Sequence, residues 1–104
     1  DLVVSADGTR LFLAVRDFAG DEDSVFAFRI ETDGRLSQIN RTKVGDIPWK
    51  VDLSPDGRYL VVSEVADGVL SVFKIEPNGA LSRAARMDWG MGVRDMAVVA
   101  SPSR

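Results

Sequence analysis

The sequence predicts an all-β fold, built as two copies of one four-stranded antiparallel sheet followed by a single further strand, and three observations carry that reading. The chain repeats itself. Asp7-Gly8-Thr9-Arg10-Leu11-Phe12-Leu13 returns as Asp56-Gly57-Arg58-Tyr59-Leu60-Val61-Val62, and Val25-Phe26-Ala27-Phe28-Arg29-Ile30 returns as Leu70-Ser71-Val72-Phe73-Lys74-Ile75. Each unit is punctuated by Asp-Gly or Asn-Gly pairs, residues that accept the positive φ of tight hairpin turns. No stretch sustains a helical apolar period, whereas short β-branched runs recur at even spacing. The step from Asp7 to Asp56 is 49 residues and that from Asp33 to Asn78 is 45, so the first unit holds four extra residues between these landmarks. A repeat in the forties made of short strands points to propeller blades, which bury their faces only against one another.

Taken in order, the first unit places strands at 2–5, 10–15, 24–30 and 36–44. The second places them at 50–54, 59–63, 69–75 and 81–87. Lys50-Val51-Asp52-Leu53-Ser54 alternates apolar with polar, Pro55-Asp56-Gly57-Arg58 turns the chain, and Tyr59 to Ser63 is almost continuously apolar. Asp67-Gly68 and Pro77-Asn78-Gly79 supply the next two turns. Four antiparallel strands joined in order make one blade. Residues 94–100 read as the first strand of a third unit, which divides the chain into blades at 1–45 and 46–89 and the start of a third at 90–104. The short opening strand and the unfinished third unit lead us to expect a piece of a larger ring. Such a piece should form a homo-oligomer or associate with the remaining blades, because fewer than about three repeats seldom bury enough surface alone.

Tyr59, Leu60, Val62, Val72 and Phe73 are the expected core of the second unit. Leu11, Leu13, Phe26 or Phe28, and Ile30 are the expected core of the first. Arg41, Lys43, Arg83 and Arg86 lie on the outermost strands, where charge keeps an edge from pairing with a stranger.

Composition narrows the chemistry. Apolar residues make up 45% and charged residues 28%, and no apolar run approaches the ~20 residues needed to span a bilayer, so a membrane role has no support. A formal charge of −3 with scattered basic residues disfavours nucleic acid, whose affinity rests on many cationic contacts. There is no cysteine and no histidine. That removes disulfides, thiolate metal sites, Ser-His-Asp triads and His-bound zinc or haem from this segment. No cofactor is expected, and catalysis would have to use carboxylates, Lys, Arg, Tyr or Ser. The missing cysteines favour the cytoplasm while leaving a periplasmic location open.

Ser54-Pro55-Asp56-Gly57-Arg58-Tyr59-Leu60-Val61-Val62-Ser63-Glu64, followed by Val69 to Ile75 and Asn78-Gly79-Ala80-Leu81, resembles a blade of the lactonase family of seven-bladed propellers. That family includes the propeller-type 6-phosphogluconolactonases. The resemblance covers essentially the whole chain, and it implies hydrolysis of a small anionic sugar-acid lactone. In the catalytic blade of the family a glutamate ends the second strand, and Glu64 occupies that slot. The resemblance thus implies Glu64 as a general base on a water attacking the lactone carbonyl. Members also carry an arginine, often with a histidine, after a proline at the start of the same blade. Here Pro48 is followed by Trp49 and Lys50, while Arg94 keeps an arginine at the matching place in the next unit.

Each candidate has a plainer alternative. Glu64 could be a solvated loop-edge residue, and Arg94 could pair with Asp95. Trp49 and Trp89 could flank one mouth of the central channel and stack on a ligand, or Trp89 could pack between blades. The acidic loop Asp17 to Asp23 reads as a solvated loop in preference to a calcium site, since it lacks EF-hand spacing. The alternative to an enzyme is a non-catalytic propeller scaffold for binding or assembly.

Overall fold

A computed structural model of the chain describes residues 1–17, 20 and 22–101. Among these, eight strands follow one another: β1 (Leu2–Val4), β2 (Arg10–Val15), β3 (Ser24–Ile30), β4 (Leu36–Lys43), β5 (Pro48–Leu53), β6 (Tyr59–Glu64), β7 (Val69–Ile75) and β8 (Leu81–Asp88). They form two antiparallel sheets, β1-β2-β3-β4 and β5-β6-β7-β8, with every neighbour adjacent in sequence. No helix occurs among the described residues, and so none is long and apolar enough to cross a membrane. Both sheets carry an irregularity at the same place in the repeat, between Ala27 and Phe28 in the first and between Val72 and Phe73 in the second, and the second sheet has another between Pro48 and Lys50.

The first hairpin of each blade is fixed by the same local chemistry. Asp7 Oδ1 accepts from Ser5 Oγ at 2.7 Å and from Thr9 N at 3.0 Å, and Asp56 Oδ1 accepts from Ser54 Oγ at 2.7 Å and from Arg58 N at 3.0 Å. Gly8 and Gly57 both sit at φ 73°, a conformation that a side chain disfavours.

The blades meet face to face. Phe12, Ala14, Val25 and Ala27 of the first form one cluster with Val51, Leu60, Val62 and Phe73 of the second. Leu60, Val62 and Phe73 are buried as expected, but the first blade corrects the expectation. Its buried residues are Phe12, Ala14, Val25 and Ala27, whereas Leu11, Leu13, Phe26, Phe28 and Ile30 are only half-buried. Tyr59 and Val72 are half-buried as well. The reason is the pleat. Alternate side chains point to opposite faces, and each blade has one face against its partner and one that no sheet of this chain covers. On the uncovered face of the first blade, Phe26 and Phe28 stack with ring centroids 6.3 Å apart.

The segment expected to open a third blade runs beside β5 without pairing into a ladder. Val98 N donates to Asp52 Oδ2 at 2.8 Å, and residues 93–101 form no strand. Residues 102–104 of that unit lie outside the described residues, as do Phe18, Ala19 and Asp21 of the acidic loop.

Candidate functional site

The crossover from the first blade to the second, Gly45-Asp46-Ile47-Pro48, has three backbone N–H groups in succession and then a proline that has none. Buried or partly buried amides must find acceptors, and here each of the three finds a different carboxylate. Gly45 N donates to Glu64 Oε2, Asp46 N to Asp67 Oδ2 at 2.9 Å, and Ile47 N to Asp23 Oδ2 at 2.7 Å. The approach is close enough that a side chain at position 45 would collide with the carboxylates of Glu64 and Asp67. Ile47 itself has φ 56° and is the one non-glycine residue with positive φ among the described residues. For a β-branched side chain that is a strained conformation.

Burial works to raise the Asp23 carboxyl, but the amides of Asp17 and Ile47 and the side chain of Asp46 outweigh it and hold Asp23 below its ordinary value. Asp46 moves the other way. Desolvation first, then the neighbouring Asp23 and Asp67, push its carboxyl up.

Immediately beyond this crossover lies a cleft of about 590 Å³ at the inner end of the sheets. Its walls combine Ile47, Pro48 and Trp49 with three cations, Arg16, Lys50 and Arg94, and two acids, Asp1 and Asp95. Lys50 Nζ stands 3.5 Å from both Asp1 and Asp95, residues that occupy its own place in the preceding and following units. The Arg94 guanidinium lies over the Trp49 ring, 5.4 Å from its centroid, and no ion pair holds it among the described residues. An exposed guanidinium laid on an aromatic face keeps its planar fork available to a carboxylate or phosphate.

With the fold and this geometry in view, the sequence model described as "Lactonase, 7-bladed beta-propeller" matches residues 1–94. The chain belongs to the lactonase family. Among solved structures, the periplasmic gluconolactonase of Pseudomonas aeruginosa is similar at 28% identity with a TM-score of 0.80, covering 88% of this chain and 26% of that one. A candidate 6-phosphogluconolactonase from Bacteroides fragilis shares the fold at 24% identity and the same TM-score of 0.80, covering 88% of this chain and 26% of that one. A protein from Lactobacillus plantarum is similar at 25% identity with a TM-score of 0.76, covering 89% of this chain and 27% of that one. The chain thus spans about a quarter of the length of these structures. No curated protein matches it.

Of the five candidate site residues, the structure brings Trp49, Lys50 and Arg94 together in the cleft and leaves Glu64 and Trp89 elsewhere. Glu64 ends β6 as expected, but it is only 2% exposed and is not among the residues lining the cleft. Oε2 accepts from Gly45 N, Oε1 accepts from Ser71 Oγ, and Arg83 Nη2 stands 3.6 Å from Oε2. The solvated loop-edge alternative is therefore excluded for Glu64. Trp89 does not line the cleft either. Its N–H donates to Gly68 O at 2.8 Å just as Val44 N donates to Asp23 O at 2.9 Å, so Trp89 is the repeat counterpart of Val44, which packs between the blades. The pairing of Arg94 with Asp95 is replaced by the pairing of Lys50 with Asp95.

The sequence gives no sign that Asp23, Asp67 and Ile47 belong to the site, and Asp67 reads there only as a turn residue. Asp23 was counted with a solvated acidic loop, yet it is 6% exposed. Among the described residues, no three His, Cys, Asp or Glu side chains form a group that could hold a metal ion.

Proposed function

We propose that this chain forms part of a lactone hydrolase acting on a small anionic sugar-acid lactone, with the cleft beside Trp49 as the place where the anionic group binds. Arg94 offers a two-pronged donor to a carboxylate or phosphate. Lys50 adds a point charge already shared with Asp1 and Asp95. Trp49 presents a flat apolar wall of the kind on which a sugar ring packs. In the hydrolysis a water adds to the lactone carbonyl, the oxyanion collapses, and the ring oxygen leaves to give a hydroxy acid. Cations near the carbonyl favour that step by stabilising the developing negative charge.

The observation that carries this reading is Arg94, an arginine without a carboxylate partner among the described residues, at the mouth of a cleft in a lactonase-family propeller. One observation favours the competing scaffold reading. Both oxygens of Glu64 are committed to neighbouring groups, whereas a general base must reach the water it activates.

Hydrolysis of gluconolactone and 6-phosphogluconolactone by the intact protein, followed by alkali uptake at constant pH, separates the two. We expect saturable turnover, with Arg94→Lys raising KM roughly tenfold, about 1.4 kcal/mol, because a point charge cannot reproduce the guanidinium fork. Hydrolysis at the buffer rate would leave the scaffold reading standing.

A further inference from the structure

We infer that Asp23 is a positioning residue for the cleft, acting through the backbone of Ile47; the inference rests on the reading of that cleft as an anion site. The geometry is specific. Asp23 belongs to the first blade, directly before β3, and reaches the crossover that starts the second. Its Oδ2 accepts from Ile47 N at 2.7 Å, while its Oδ1 accepts from Asp17 N at 2.7 Å. The other side of the same residue is held too, since Ile47 O accepts from Val65 N at 2.9 Å. A β-branched residue at φ 56° relaxes unless its surroundings over-determine it, and these two hydrogen bonds supply that constraint. Ile47 and Pro48 are themselves walls of the cleft, and Trp49 and Lys50 follow directly. The direction in which β5 enters, and with it the ring on which Arg94 rests, is therefore set by the dihedral that Asp23 holds.

The next crossover is built differently. There Gly68 stands at the repeat position of Asp23 and has no side chain to offer, and Gly92 stands at the position of Ile47. The left-handed residue of that crossover is Gly90, at φ 85°, for which the conformation carries no steric cost. Gly90 is the repeat counterpart of Gly45, and Gly92 has no positive φ, so that crossover has no strained residue at the Ile47 position for a carboxylate to hold.

The test compares Asp23→Ala, Ile47→Gly and the double variant in the intact protein, each also made with Trp49→Phe so that the difference spectrum isolates the emission of Trp49. Asp23→Asn is made in parallel, because its single acceptor oxygen keeps part of the clamp should the alanine variant fail to fold. Two readouts are taken: Trp49 emission, and the affinity for inorganic phosphate. We expect Asp23→Ala to shift Trp49 emission and weaken phosphate binding about tenfold or more. Ile47→Gly removes part of the cleft wall, so that variant serves as its own baseline for the double variant. In the Ile47→Gly background the Asp23 substitution should cost no more than about threefold, because glycine populates the left-handed region unaided. Unchanged Trp49 emission in Asp23→Ala overturns the inference, as does a loss of the same size in both backgrounds, which would mark Asp23 as generally structural. If the parent does not bind phosphate, the anion-site reading fails, while the emission arm still decides the role of Asp23.

Discussion

The two blades share a sequence plan, but the same residues meet different surroundings. Leu60, Val62 and Phe73 of the second blade are fully enclosed, while their counterparts Leu11, Leu13 and Phe28 are half-buried on a face that no sheet of this chain covers. The turns behave in the opposite way. Asp7 and Asp56 share two hydrogen bonds, from the serine hydroxyl and from the amide two residues on, at the same distances in both blades. Structure decided within a few residues is copied faithfully by the repeat, whereas structure decided by a neighbouring sheet depends on where in the array the copy stands. Repeat arrays behave this way because each unit's stability is shared with its neighbours.

The largest expected effect sharpens this contrast. In the 104-residue chain at low concentration, Leu60→Ala should cost about 2 to 5 kcal/mol, and Leu11→Ala no more than about 1 kcal/mol. Denaturant unfolding measures both. The gap should narrow as concentration rises, because a second copy laid on the free face gives Leu11 the cover that Leu60 already has. Equal losses at every concentration would mean that the faces are assigned wrongly.

Next in size is Glu64, whose repeat counterpart in the first blade is Val15. Glu64→Gln removes the negative charge facing Arg83 and turns one acceptor into a donor, so with Gly45 N still bonded Ser71 Oγ must accept and its own proton loses its acceptor. Leaving a buried polar group unsatisfied costs about 1 to 3 kcal/mol. A variant as stable as the parent but inactive would restore Glu64 as the catalytic base.

The smallest effect concerns the two turns, where the blades should agree. Asp7 is held at about 2 by the side chains of Thr9 and Ser5 and the Thr9 amide. Asp56 is held at about 2 by the Ser54 hydroxyl and the amide and side chain of Arg58. Both folded values lie below the ordinary 3.8, so the stability these groups contribute is complete above pH 3.8 and is lost as pH falls towards about 2. Titration of the two carboxyl carbons by NMR should give matching midpoints. A split of more than about one unit would show that the turns feel more than their own residues.

Strand positions were legible because alternation and Asp-Gly turns are written locally, and seven of the eight strands begin at the residue expected. The choice of buried face was not. Leu11-Phe12-Leu13-Ala14-Val15 is apolar on both sides, so alternation carries no sign there, and only the docked neighbour selects Phe12 and Ala14. The cleft was partly legible through Trp49, Lys50 and Arg94. Its support was not, since Asp23 meets Ile47 across 24 residues and Glu64 meets Gly45 across 19, contacts that exist only once two blades have docked.

The most direct test is a crystal structure of the intact protein grown with 6-phosphogluconate. The anionic group should lie in the cleft beside Trp49, with an Arg94 guanidinium nitrogen within about 3 Å of one of its oxygens. Ligand bound elsewhere in the ring, with Arg94 still resting on Trp49 and the cleft free of it, would contradict the assignment.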